Sequence, residues 1–210
     1  MRRIEAQYAI TPDGTAIIEV AQACGLMHIE HEQRNPIRTT SYGVGLLVAD
    51  ALRHNCHKMI IGLGGSATSD AGIGMLRALI DTFAPEDHFN AIRPLFDNCE
   101  VILASDVTNP LYGINGAAHV FAKQKGATSS MIEALDARAK QFALHTKKAM
   151  GFDKSMQPGA GAAGGLGYAF MQFLNAKMQS GAELLLHLLQ FDKLLAHADI
   201  VITGEGKSDR

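Results

Sequence analysis

The sequence predicts an α/β fold, a parallel or mixed sheet with flanking helices, on three observations. A short apolar run at Met59 to Gly62 feeds a loop of glycines and hydroxyls, Gly62-Leu-Gly-Gly-Ser-Ala-Thr-Ser-Asp70, that continues to Gly74 and opens a helix. A second compact apolar run, Val101-Ile-Leu-Ala104, ends on Ser105-Asp106, so a strand running into a polar loop recurs. A second glycine-rich loop, Pro158-Gly-Ala-Gly-Ala-Ala-Gly-Gly-Leu-Gly167, again leads into an apolar segment. Repetition of strand, loop and helix is the pattern that builds parallel sheets.

The elements follow in order. Residues 3 to 20 read as a β-hairpin around Thr11-Pro12-Asp13-Gly14, where proline presets one turn dihedral and glycine takes the left-handed one. Beyond a polar loop through Arg34-Asn35-Pro36, apolar residues at Val44, Leu47, Val48, Ala51 and Leu52 recur at one-face helical spacing. Asn109-Pro110 stops regular structure after the second strand. Ser130 and Glu133 have capping-box spacing, with Ile132, Leu135, Ala139 and Phe142 forming the apolar face of a helix of about four turns. The second glycine loop leads into a helix near Tyr168 to Lys177, and Leu184 to Leu189 continues the helical material. Ile200-Val201-Ile202 reads as a further buried strand that enters the loop Thr203-Gly-Glu-Gly206.

Composition bounds the function. A chain of 210 residues with 47% apolar composition buries a substantial core, and a net charge of −2 gives no footprint for nucleic acid or an anionic membrane. Cys24, Cys56 and Cys99 are odd in number and far apart, which indicates neither a disulfide framework nor zinc and suits a reducing cytoplasm. The start lacks the apolar core of a signal peptide. The uncharged stretch from Ser155 to Ala176 reads as a glycine-rich loop and buried helix, not as a membrane span. His28 with His31, and His54 with His57 beside Cys56, lack partner clusters and read as surface histidines.

The first glycine loop carries the chemistry. Glycines let the backbone approach an anion, and amides at a helix start, with the positive end of its dipole, favour phosphate. The loop lacks the Gly-Lys-Ser/Thr ending of a Walker A motif. It matches the dinucleotide pattern at Gly62, Gly64 and Ala67, but Ser66, Thr68, Ser69 and Asp70 make it richer in hydroxyls and carboxylate than a pyrophosphate turn needs. Asp106, at the end of a buried strand, is placed to meet a ligand or Mg²⁺, with a turn aspartate as the bland rival. Lys123 and Lys125 could meet phosphate, although paired exposed lysines are ordinarily just solvated.

Several segments together resemble the bacterial type I glycerate kinase family. They are Asn35-Pro36 with Thr39 to Gly45, Ile61 to Asp70, Asp106-Val-Thr-Asn-Pro-Leu111 with Gly113 and Gly116-Ala117, Gln124 to Thr128, Gly159 to Gly165, and Thr203 to Gly206. The resemblance implies phosphorylation of D-glycerate with ATP and Mg²⁺ in a two-domain α/β enzyme with its site between the domains. It implies Asp70 and Asp106 in catalytic roles. Phosphate or substrate contacts would come from Gly64, Gly65, Ser66, Thr68, Asn109, Lys125, Gly164, Gly165, Gly204, Glu205 and Gly206, with Asp106 and Glu205 toward Mg²⁺. Residues 1–210 then form one glycerate kinase-like region that lacks the family's amino- and carboxyl-terminal segments, with 198–210 as a strand of the second domain. The stretch from Leu79 to Val101 is also shorter than in the family, and Ser69 and Ala71 replace its usual Asn and Gly. Two outcomes stay open: an active kinase, or a non-catalytic remnant that retains anion binding. Nucleic acid and membrane are not expected partners, while self-association into a homo-oligomer stays open.

Overall fold

The computed structural model describes residues 3–84, 92–202 and 204. Five strands form one mixed sheet: β1 (Ala9–Ile10), β2 (Thr15–Glu19), β3 (Lys58–Gly62), β4 (Glu100–Ala104) and β5 (Lys177–Gln179), hydrogen-bonded in that order. The β1 and β2 strands are the antiparallel hairpin, and its turn closes through the Gly14 amide donating to the Thr11 carbonyl at 2.9 Å with Gly14 at φ +77°. The strands from β2 to β5 run parallel, with Glu19 beside Gly62, Gly62 beside Ala104 and Ala104 beside Gln179. Their carboxyl ends therefore share one rim, and every loop that leaves them starts there.

Eight helices surround the sheet among the described residues: α1 (Val20–Cys24), α2 (Tyr42–Arg53), α3 (Ile73–Phe83), α4 (Ala117–Phe121), α5 (Ser129–Met150), α6 (Ala162–Leu174), α7 (Gly181–Leu188) and α8 (Phe191–Leu195). Alternation on the strands sends Ile18, Met59, Ile61 and Leu103 into a core where each is fully buried. The apolar stripe of α2 meets α3 so closely that a Cβ at Gly45 would run into the Met75 carbonyl. The core is completed by α6, whose Leu166, Tyr168 and Phe170 are fully buried. Phe142 of α5 contacts Tyr168 edge-on at 5.9 Å and stacks on Phe173 at 5.8 Å, which fastens the long helix to the core.

The secondary structure departs from the sequence expectations at three places. Thr128, not Ser130, caps α5: its hydroxyl accepts from the Met131 amide at 3.4 Å, and the helix runs 22 residues. The helix expected to reach Lys177 ends at Leu174, where Asn175 turns left-handed at φ +52°, and Lys177–Gln179 becomes β5. Tertiary pairing with β4 makes that strand, because its own sequence has no apolar run. Ile200, Val201 and Ile202 form no strand and are 80%, 55% and 93% exposed; Leu185 and Leu188 of α7, Leu189 just after it and Leu194 of α8 are exposed as well. Among the described residues no helix is long and apolar enough to cross a membrane.

Candidate anion site at the carboxyl rim of the sheet

The loop that leaves β3 is pinned on its inner side and open on its outer one. Its Leu63 amide donates to the Ala104 carbonyl at 3.3 Å, and Gly25 and Ser66 form an antiparallel bridge. The bridge is closed by Leu26 donating to the Gly65 carbonyl at 2.9 Å and Ala67 donating to the Cys24 carbonyl at 2.7 Å. Thr39 donates its hydroxyl to the Ala67 carbonyl at 2.9 Å. Among the described residues the amides of Gly64, Gly65 and Ser66 donate to nothing. Gly64 and Gly65 are exposed, and a Cβ at Gly64 would meet only open space. Unsatisfied backbone donors at an exposed glycine turn are groups that can receive an anion.

Lys125 stands behind this turn, not in front of it. The bland reading of a solvated lysine holds for Lys123, which is exposed, while Lys125, which the resemblance assigns to phosphate or substrate, is 3% exposed. Its Nζ donates to the Thr68 carbonyl at 2.6 Å and to the Ser66 hydroxyl at 3.1 Å. Burial pulls its pKa down to about 8, partly offset by Cys24 and Asp70. Burial likewise pushes the Cys24 thiol up to about 11. The Thr68 side chain is fully buried, with its hydroxyl 3.9 Å from the Cys24 sulfur, so it faces the interior and not a ligand.

Asp70 also points inward. Its Oδ2 accepts from the Ser41 amide at 2.8 Å, the Ser41 hydroxyl at 2.9 Å and the Gly74 amide at 3.2 Å, while Oδ1 accepts from the Gly72 amide at 3.1 Å. The Ser41 hydroxyl in turn accepts from the Met75 amide at 3.0 Å. One carboxylate thus holds the starts of α2 and α3 together, where both helix dipoles favour negative charge. Both oxygens are taken up by this scaffold.

The second glycine loop packs on the first. Ala163, Gly164 and Gly165 are left-handed at φ +51°, +68° and +95°. A Cβ on Gly164 would run into the Thr68 carbonyl, and one on Gly165 would come within 2.6 Å of Ala71 Cα. Gly164 and Gly165 are buried, and the Gly164 carbonyl accepts from the Ala71 amide at 3.0 Å. Their glycine character serves close approach of backbone to backbone, the packing alternative. Ala71 itself sits at φ +56°, a conformation that costs a non-glycine residue roughly 1–2 kcal/mol. The Ser69 hydroxyl is buried without a partner among the described residues.

Asp106 lies on the same rim, one strand over. It is exposed, and its Oδ1 accepts from the Ser180 hydroxyl at 2.7 Å and the Gly181 amide at 3.1 Å, tying β4 to the start of α7. Its Oδ2 has no hydrogen-bond partner among the described residues. Asn109 braces the second glycine loop: its Nδ2 donates to the Asn115 carbonyl at 2.9 Å and its carbonyl accepts from Gly161 at 2.8 Å. Gly204 is exposed, and Glu205 and Gly206 lie outside the described residues.

Among the described residues no three His, Cys, Asp or Glu side chains group to hold a metal. His28 is not a plain surface histidine: its Nε2 lies 3.1 and 3.0 Å from the Ala21 and Gln22 carbonyls. Two hollows of about 410 and 500 Å³ lie away from the glycine loops, one around Asn98, Glu100 and Lys177 and one around Leu186 and Phe191. Sequence reading passed over Ser41 and Thr39 as functional supports, although both lie in the hydroxyl-rich run before α2.

A model of the glycerate kinase family matches residues 1–210. The chain is 41% identical to the glycerate 2-kinase of Escherichia coli (strain K12), covering 99% of this chain and 59% of that one. It is 38% identical to the glycerate kinase of Bacillus subtilis (strain 168), covering 98% and 59%. A crystal structure of a Salmonella typhimurium LT2 chain assigned as glycerate kinase 2 superposes with a TM-score of 0.86 at 38% identity, over 99% of this chain and 61% of that one. The chain thus spans about three fifths of the relatives' length. On the full-length family match, the chain belongs to the glycerate kinase family.

Proposed function

We propose that the carboxyl rim of this sheet is the phosphate-seating wall of a glycerate kinase, which transfers a phosphoryl group from ATP to D-glycerate with Mg²⁺. The observation that carries the reading is the exposed glycine turn at Gly64 and Gly65, whose amides, with that of Ser66, have no partner among the described residues, backed by a buried ammonium. Unpaired backbone donors at a glycine turn fit a terminal phosphate. Asp106, with one unpaired carboxylate oxygen on the same rim, fits Mg²⁺, which is commonly held by one or two carboxylates together with phosphates. Bound Mg-ATP supplies the phosphoryl group and the neutralising cation.

The chain's own residues do the positioning. Gly64 to Ser66 fix the phosphate and offset its charge, Asp70 locks the turn against α2 and α3, and Asp106 orients the cation or the substrate hydroxyl. Phosphoryl transfer needs little more than positioning and charge stabilisation, so this division of labour matches the chemistry. Glu205 would add a contact from the following loop. The three buried, unpaired thiols suit a reducing cytoplasm.

ADP release from D-glycerate and Mg-ATP tests the reading. Turnover of roughly 1 to 100 s⁻¹ is expected of an intact site. Asp106→Asn should lower kcat at least ~100-fold, on the scale of a misplaced reacting group. Unchanged turnover in Asp106→Asn would remove Asp106 from the mechanism.

A second reading is favoured by Asp70. With both of its oxygens engaged, Asp106 is left as the single singled-out carboxylate with an unpaired oxygen on the described rim. A chain that binds ATP yet releases no ADP would be a non-catalytic member that retains the anion seat.

A further inference from the structure

Lys125 is a buried cation without a carboxylate within ion-pair distance among the described residues. Such a charge is costly to bury, and an apolar side chain of the same length would fill the space without that penalty. Its placement is specific. The 3-10 turn Lys123–Lys125 ends at Gly126, left-handed at φ +90° and so close to the Arg34 carbonyl that no Cβ fits. That contact fixes the base of the Lys125 side chain. The far end grips Ser66 and Thr68, the two residues that flank Ala67, whose own amide and carbonyl are held by Cys24 and Thr39. The Ser66 hydroxyl and the Ala67 and Thr68 carbonyls thus have partners, while the amides of Gly64 to Ser66 have none among the described residues.

We propose that Lys125 is a positioning residue for the anion seat: from behind the loop, through the Ser66 hydroxyl and the Thr68 carbonyl, it holds the Gly64 to Ser66 turn in place and supplies the positive charge that a bound phosphate feels. This rests on the reading of that turn as a phosphate seat. Lys125 itself touches no ligand, because the loop lies between it and solvent.

The geometry carries a consequence for pH. The titratable groups acting on Lys125 are Cys24 at the end of α1 and Asp70 ahead of α3. Cys24, raised to about 11, stays a neutral thiol across the working range. The ammonium, lowered to about 8, loses its proton as pH rises, and the seat loses its charge. Anion affinity should therefore fall as pH rises through about 8. Stability of the ligand-free protein moves the other way: the unfolded lysine binds more protons than the folded one between about 8 and 10.5, so this group's contribution rises with pH there.

The test is ATP affinity by calorimetry between pH 7.5 and 9.5 for the wild-type chain, Lys125→Arg and Lys125→Met, with thermal melts to establish folding. The wild type should weaken about tenfold across the range, the size of effect a unit charge exerts through a partly screened interior. Lys125→Met should bind about tenfold more weakly at pH 7.5 and show no pH slope, and Lys125→Arg should bind without the slope. Tight, pH-independent binding by the wild type overturns the proposal, needs no variant, and leaves the phosphate seat standing. Wild-type affinity in folded Lys125→Met overturns it equally. Absence of ATP binding by the wild type at every pH overturns the seat and the role of Lys125 together.

Discussion

Asp70→Ala is expected to lower the melting temperature by about 10 °C, from a loss of roughly 3–5 kcal/mol at 2–4 °C per kcal/mol in a domain of this size. The substitution strips four hydrogen bonds from the starts of α2 and α3 and leaves the Ser41, Gly72 and Gly74 amides without their acceptor. Unsatisfied buried donors cost about 1–3 kcal/mol each, and the helix dipoles lose their counter-charge as well. Asp70→Asn keeps the shape and one carbonyl acceptor, so it should recover about half of the loss. If Asp70→Ala melts within about 2 °C of wild type while activity disappears, Asp70 is a catalytic group and not a scaffold.

Gly164→Ala is expected to be as damaging by a different route. At φ +68° an alanine costs about 1–2 kcal/mol on its own, and its Cβ would occupy the space of the Thr68 carbonyl. That carbonyl is already held by Lys125 at 2.6 Å, so the collision moves backbone or breaks the grip on the anion loop. A total of roughly 3–5 kcal/mol follows, near the upper end for point substitutions. Gly113→Ala is the control, because φ there is +95° with nothing within 4 Å of a Cβ, and it should show the dihedral cost alone. Equal melting temperatures for the two variants would contradict the packing of one glycine loop on the other.

The parts of the fold legible in the sequence are those whose signal is local. Met59 and Ile61, or Val101 to Leu103, are strands in any context because a short apolar run between polar loops has few other uses. The α2 stripe is equally self-contained. Lys177-Met-Gln179 was not legible, since only the edge offered by β4 makes it a strand. The strand read at Ile200 to Ile202 fails for the same reason in reverse: apolar composition without a pairing edge leaves the residues exposed.

The candidate site divides in the same way. Gly64 to Ser66 announce an anion turn by composition, and the geometry leaves their amides without partners among the described residues. Asp70 and Thr68 look like ligand-facing groups in sequence because hydroxyls and carboxylates cluster there. Their inward direction depends on Ser41, 29 positions away, and on Lys125, 57 positions away. Lys125 and Lys123 are indistinguishable in the sequence, and only the approach of Gly126 to Arg34 separates a buried cation from a solvated one. Ala71 at φ +56°, where the resemblance implies Gly, is a departure that sequence could flag but not weigh.

The central claim is that the turn leaving β3 seats phosphate through its backbone. Amide chemical shifts of the ¹⁵N-labelled chain during titration with ATP test it most directly. The largest changes are expected at Gly64, Gly65 and Ser66, with Gly113 unmoved. Largest changes around Asn98 and Lys177, with Gly64 to Ser66 silent, would contradict it.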